Sequence, residues 1–214
     1  MKTATAFLLL FLACSAFSQS PDTVTISHKY YSTTFSKSKH FPVVVKYWLT
    51  KKMFACKKRF KRTNKFTPDP QLLAYTKLKK DYSGSGYDQG HNMDAYDNGC
   101  DSIGMIESFY YSNMCPQTPR LNRGIWKKLE GYCRTKAKTF DSVLVWCGSV
   151  AIGKKHIGKV AVPDYCWKII YVKKQGAIEA YSFKNDKAQA KPLSAYKVSV
   201  DSVWHLSGLR FTDH

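Results

Sequence analysis

SNMCPQTPRLNRGIWKKLE, residues 112–130, carries the strongest local signal in the chain. Thr118 is a good helix N-cap. Pro119 suits the first helical position, where its fixed φ is already helical and its missing N–H would be unpaired anyway. Beyond them Trp126, Leu129, Cys133 and Ala137 recur at helical spacing and make one apolar face. Lys127, Lys128, Arg134 and Lys136 lie mostly on the other side. The expectation is an amphipathic helix over 119–137, weakened in its first turns by Gly124.

Outward from this helix the chain reads mainly as strands. FPVVVKYWL (41–49) is rich in β-branched and aromatic residues, and SVLVWCGSV (142–150) reads as a central strand. SFYYSN (108–113) is a short strand candidate. Segments 159–162 and 166–172 are further strands, separated by a Pro163-Asp164 turn. Residues 196–203 (YKVSVDSV) alternate like another strand, or lead into a final turn of helix. Irregularly spaced strands with few helices predict an α+β class built on a central, mostly antiparallel sheet.

The 214 residues suit one domain, and 44% apolar content is enough to bury a core, which excludes a disordered chain. The first residues read differently. Lys2, an apolar run over 6–14 and the small-x-small triplet Ala16-Phe17-Ser18 predict a secretory signal peptide over 1–18, cleaved after Ser18. The apolar run is too short to span a bilayer, so membrane insertion is not expected. A lipid-modified Cys14 is the weaker alternative, because Phe11-Leu12-Ala13-Cys14 makes a poor lipobox. The expected product is a secreted or periplasmic domain, 19–214.

Six cysteines follow this segment: Cys56, Cys100, Cys115, Cys133, Cys147 and Cys166. An even number in an exported chain predicts three disulfides, with Cys147 and Cys166 weakly favoured as partners because they lie in neighbouring strand candidates. No CxxC pair is present, which argues against a thiolate zinc site.

Charge narrows the partner. The sequence carries 34 Lys and Arg against 15 Asp and Glu, a net +19, or +18 once Lys2 is removed with the leader. Lys51, Lys52, Lys57, Lys58, Arg59, Lys61, Arg62 and Lys65 form one dense run. Such an excess favours a polyanion, since basic groups release counterions from a phosphate backbone.

Three short elements carry candidate chemistry. YSGSGYDQGH (82–91) sets His91 directly after Gly90, with Asp88 near enough to orient the ring or loop. A histidine can take a proton from water near neutral pH. Residues 112–130 place Asn113, Gln117, Asn122 and Glu130 near the start and body of the helix, where an Asn carbonyl with phosphate oxygens and water can hold a hard cation. Eight residues of helix separate Asn122 from Glu130 by ~12 Å, so only one of them ligates a small ion directly. Arg62 precedes Phe66 and Asp69 and can bind a phosphate oxygen. Taken singly, each has a plainer reading: a loop histidine, a helix-end asparagine, a glutamate paired with a surface lysine and a solvated arginine.

In combination they resemble the DNA/RNA non-specific endonucleases of the ββα-metal superfamily, which includes endonuclease G. Arg62 with Phe66 and Asp69, residues 82–91, Ser112-Asn113, Pro116-Gln117, Leu121-Asn122 and Trp126 to Glu130 match that family's motifs in order and spacing. Val162-Pro163 with Trp167-Lys168, and 196–200, match further on. The resemblance implies a ββα-metal catalytic unit on the central sheet. It implies Mg²⁺, with Mn²⁺ as a substitute, and cleavage of DNA and RNA gripped by the phosphate backbone, leaving 5′-phosphate ends. His91 is the implied general base, Asn122 the direct metal ligand, Glu130 the holder of a metal-bound water, Arg62 the charge stabiliser and Asn113 a supporting hydrogen bonder. One departure stands out. The family's Asp-Arg-Gly-His is Asp88-Gln89-Gly90-His91 here, so no role carries over to Gln89. That substitution alone favours the alternative, a catalytically inactive nucleic-acid-binding protein of the same fold. The sequence sets no oligomeric state and no preference between DNA and RNA.

Overall fold

The computed structural model describes residues 22–187 and 191–209, and the expected leader at 1–18 lies outside them. Eleven strands occur along the described chain. β1 (Thr23–Ser27), β2 (Ser32–Ser36) and β3 (Phe41–Thr50) come first, then β4 (Asp88–His91), β5 (Met114–Gln117) and β6 (Ser142–Val150). β7 (His156–Ile157), β8 (Val160–Ala161), β9 (Tyr165–Val172), β10 (Ala177–Lys184) and β11 (Lys197–Val198) follow. The α-helices are α1 (Leu73–Thr76), α2 (Lys79–Tyr82), α3 (Ser102–Glu107), α4 (Lys127–Phe140) and α5 (Val200–Ser207).

Seven strands form one sheet in the order β1-β2-β3-β6-β9-β10-β11, with every neighbouring pair antiparallel. This is the expected α+β architecture. β6 sits at its centre, and its unbroken apolar run has a physical reason, because both faces of the strand are covered. Val143, Val145 and Cys147 pack with Trp126, Leu129, Cys133 and Ala137 in the core beneath α4. Leu144 and Trp146 pack on the opposite face with Trp167, Ile169 and Val203 of α5. Each fully buried large side chain of this kind contributes about 1.5–3 kcal/mol.

The helix signal is realised with a break. Residues 119–126 coil helically, Gly124 adopts non-helical angles (φ −102°, ψ −108°), and α4 then runs straight to Phe140. The kink separates the turn bearing Asn122 from the helix bearing Glu130. A second, two-stranded sheet pairs β4 with β5 and sets His91 opposite Met114. β4, β5 and the helix after them form the ββα unit.

Several expectations need correction. Residues 108–113 are not a strand. Ser108 ends α3, Tyr111–Asn113 is a 3₁₀ turn, and the strand begins only at Met114. The aromatic run there fills a pocket: Phe109 and Tyr111 are fully buried around Phe66. Over 159–162 only Val160 and Ala161 are extended, while over 196–203 the alternative holds: the strand stops at Val198 and leads into α5, capped by Ser199. β10 carries no turn signal that singled it out, yet it pairs with β9 along its whole length.

The cysteine expectation is also revised. One disulfide joins Cys56 to Cys100, across 44 residues, while Cys115, Cys133, Cys147 and Cys166 are buried free thiols. Cys147 and Cys166 are not partners, because register sets Cys147 opposite Lys168 and Cys166 opposite Ser149. Closing a loop of that length contributes about 4 kcal/mol in the chain-entropy view.

Candidate active site

A cleft of about 620 Å³ opens between the β4–β5 hairpin, the helix after it and the basic segment 59–62. His91, Arg62, Asn122 and Glu130 all line it. Residues separated by up to 68 positions therefore converge on one hollow, as the motif order implied. Asp88, Gln89 and Asn113 do not line it.

His91 ends β4 and is only 5% exposed. Its ring lies 5.6 Å from Phe66 and 5.1 Å, edge-on, from Phe109. Burial, with the Arg62 charge adding to it, pushes the imidazole pKa down from 6.5 to about 3. One ring nitrogen bonds the Gln89 backbone, and Nε2 is buried without a protein partner. A neutral imidazole with Nδ1–H on a carbonyl carries its lone pair on Nε2, which is the state a base requires. A Cβ at Gly90 would stand 2.4 Å from the buried Gln117 side chain of β5, so only glycine lets the two strands close.

Asn113 fixes the turn that follows His91. Its Nδ2 donates to the carbonyls of Met93 and Ser108 at 2.9 Å each, and its Oδ1 accepts from Met93 N at 2.9 Å. Ser112 is held in turn by Asp69, whose carboxylate also accepts from His28 Nε2 at 2.8 Å. That network gives Phe66 and Asp69 separate places: Phe66 packs on the His91 ring and Asp69 anchors the turn behind it.

Asn122 Nδ2 donates to Asp88 Oδ2 at 2.9 Å, and Arg123 clasps the same carboxylate through Nε at 2.8 Å and an η nitrogen at 2.7 Å. Burial works against the Asp88 charge, but the bonds from Arg123 and Asn122 win and hold its carboxyl below the usual range. A carboxylate accepts only, so the Asn122 amide nitrogen must face it, and Oδ1 is left as the acceptor for a cation. Gln89 donates to the Tyr111 hydroxyl at 3.4 Å.

Glu130, 9% exposed, sits in a nest of charge. Burial, then the nearby Asp94, pushes its carboxyl well above the usual range, against the pull of Lys168 and Arg134. Asp94 accepts from Arg134 at 2.8 Å, and Arg134 also reaches Asp97 at 3.1 Å. Burial and the Asp94 charge raise Asp97 to about 7. Arg62 lies 3.7 Å from Asp94 and 5.1 Å above the Phe109 ring, and its Nε is held by Asn64 Oδ1 at 2.7 Å. A buried carboxyl group beside an oriented amide oxygen suits a hard divalent ion with few direct protein ligands. Among the described residues no group of three His, Cys, Asp or Glu forms a conventional metal cage.

Reading the sequence missed Asp94, Arg134, Lys168 and the structural part of Trp126. Lys168 is wholly buried, donating to Asn92 O at 3.0 Å and Tyr47 Oη at 3.2 Å and sitting 4.7 Å from the Trp126 ring. A lone lysine inside the apolar run YCWKIIYV was the available signal. Arg134 looked like an outward cation on α4, but turns toward Asp94 and Asp97.

Comparison with known proteins places this geometry. The profile of the DNA/RNA non-specific endonuclease family matches residues 13–214. The mitochondrial nuclease EXOG of Xenopus laevis is 35% identical over 69% of this chain and 47% of its own length. Nuclease C1 of Cunninghamella echinulata is 37% identical over 70% of this chain and 67% of its own. The chain thus spans about half the length of the EXOG proteins it matches. A chain in a crystal structure of the EndoG/EndoGI complex superposes with a TM-score of 0.78 at 28% identity, covering 87% of this chain and 84% of that one. The ββα unit, the cleft it lines and the profile spanning nearly the whole sequence agree, and the chain belongs to the DNA/RNA non-specific endonuclease family.

Proposed function

We propose that this protein is an exported, Mg²⁺-dependent endonuclease that hydrolyses phosphodiester bonds in DNA and RNA without strong sequence preference. The observation that carries the reading is the neutral, unpartnered Nε2 of His91 in the same cleft as the Asn122 amide and Glu130. In that arrangement His91 takes the proton from a water molecule as it attacks phosphorus, the P–O3′ bond breaks, and the 3′ oxygen leaves with a proton from solvent water. Asn122 Oδ1 and Glu130 are the residues that would hold the metal, the asparagine oxygen as ligand and the carboxyl group through water. Bound there, a divalent cation supplies positive charge to the phosphate oxygens. Arg62 meets the charge that builds on phosphorus, and Asp94 keeps its guanidinium at the cleft. Backbone contacts from the basic run read no bases, which supports cutting without sequence choice.

Gln89 does not line the cleft, so its replacement of the family arginine leaves the base, the metal residues and Arg62 in place. Export rests on the leader-like first 18 residues and on the disulfide, which persists in oxidising compartments. Among the described residues no helix is long and apolar enough to cross a membrane. Incubating supercoiled plasmid and a structured RNA with the protein, with EDTA and then excess Mg²⁺, tests the activity. Degradation of both that stops with EDTA and returns with Mg²⁺ supports it, and inertness toward both refutes it.

A further inference from the structure

The basic segment before the cleft does more than carry charge. It crosses the surface as an arm pinned at several points. Cys56 is bonded to Cys100, and Phe60 N donates to Gly99 O at 2.7 Å. Arg59 donates to the Tyr96 carbonyl, and its guanidinium lies 4.3 Å from the Tyr96 ring centre. Arg134 covers the same ring at 5.0 Å. A Cβ at Gly99 would stand 2.3 Å from the Arg59 guanidinium, so the absence of a side chain there leaves room for Arg59 in this position. An arm held this way has few conformations to lose when something docks on it.

What the arm presents is unusual for a +19 protein. Phe60 lines the cleft and is 52% exposed, between Arg59 and Arg62. The apolar core lies elsewhere, and Phe60 belongs to none of its clusters. An exposed phenyl ring fixed among guanidinium groups matches what an unpaired base needs: a flat apolar surface, with cations for the adjoining phosphates. Tyr96, with the Arg59 and Arg134 guanidinium groups at 4.3 and 5.0 Å from its ring centre, is the anchor of the arm.

We propose that Phe60 is a base-stacking subsite that makes the cleft bind single-stranded nucleic acid more tightly than duplex. In a duplex the base faces are already stacked inward and the ring has nothing to meet. In a single strand every base offers a π-face, so the subsite adds affinity without adding sequence choice. This rests on the nuclease reading above and specifies its substrate.

The test uses binding in EDTA, so that nothing is cut. The probes are a short fluorescent DNA single strand, an abasic sugar–phosphate strand of equal length, and the corresponding duplex. The native protein should bind the base-bearing strand about 5- to 150-fold more tightly than the abasic strand, the range that one stacked base supplies. Phe60→Ala should remove most of that difference while leaving abasic and duplex affinity unchanged, and Phe60→Trp should keep it. Phe60 is exposed and outside the core, so both variants fold. Equal affinity of the native protein for base-bearing and abasic strands, or equal weakening of all three probes by Phe60→Ala, overturns the subsite. If plasmid nicking is intact in that case, the nuclease reading stands. Absence of both binding and nicking overturns the two together.

Discussion

The Trp126 indole N–H donates to the carbonyl of His91 at 3.0 Å. This bond ties the junction between the turn bearing Asn122 and the helix bearing Glu130 to the strand bearing His91. Lys168 completes the tie by donating to the next carbonyl, Asn92 O, from 4.7 Å below the Trp126 ring. Trp126→Phe keeps a ring but deletes the donor and leaves a buried acceptor unpaired. It should cost about 2–3 kcal/mol of stability. Below the melting range it should lower kcat more than it raises KM. Urea unfolding and steady-state kinetics on one variant check both.

Asp88 is the second joint, because one carboxylate orients Asn122 and clasps Arg123. Asp88→Asn removes the strict acceptor and lets the Asn122 amide turn over. The expected result is a rise in the Mg²⁺ concentration for half-maximal activity, with near-native rate at saturating metal. A metal titration of nicking rate checks this, and an unchanged midpoint with a reduced plateau would show that Asp88 serves the chemistry and not the metal.

His91 makes stability depend on pH. Its folded pKa of about 3 lies below the ordinary 6.5, so between those values the unfolded chain binds the extra proton. Its contribution is therefore present in full above 6.5 and is lost as pH falls toward 3. Relative to His91→Asn, the native protein should lose stability over that window with a limiting slope of about 1.4 kcal/mol per pH unit. Asp97, raised to about 7, acts in the opposite sense, losing its contribution as pH rises from about 4 toward 7. The comparison with the variant isolates His91 from it. Urea midpoints at several pH values for both proteins give the answer, and parallel curves would mean that His91 is not buried neutral.

Disulfide chemistry gives a countable outcome. With one bridge, Cys56–Cys100, the denatured but unreduced domain should take up alkylating reagent at Cys115, Cys133, Cys147 and Cys166. Peptide mapping locates each adduct. Protection of any of the four would reveal a further bridge.

How much of this was visible in the sequence follows from the range of each interaction. The helix over 119–137 was legible because Thr118, Pro119 and the spacing of Trp126, Leu129, Cys133 and Ala137 are local signals. β3, β6 and β9 were legible because β-branched and aromatic runs need a sheet to bury them. The strand expected at 108–113 was misread because Phe109 and Tyr111 are buried against Phe66 and not across a ladder. The cysteine pairing failed because register, a long-range property, sets Cys147 opposite Lys168. Motif order assembled His91, Arg62, Asn122 and Glu130, but motif order contains no distances. It could not show that Arg134 turns inward to Asp94, or that Asp69 braces the turn behind the base through Ser112.

The most direct measurement is single-turnover nicking of supercoiled plasmid at saturating Mg²⁺ by the native protein and by His91→Ala, both with unchanged melting curves. Loss of a positioned base should slow the chemical step by ~10²–10⁴-fold, with plasmid affinity preserved. A His91→Ala protein that nicks within a few-fold of the native rate would contradict the assignment of His91 as the base on which the proposed function stands.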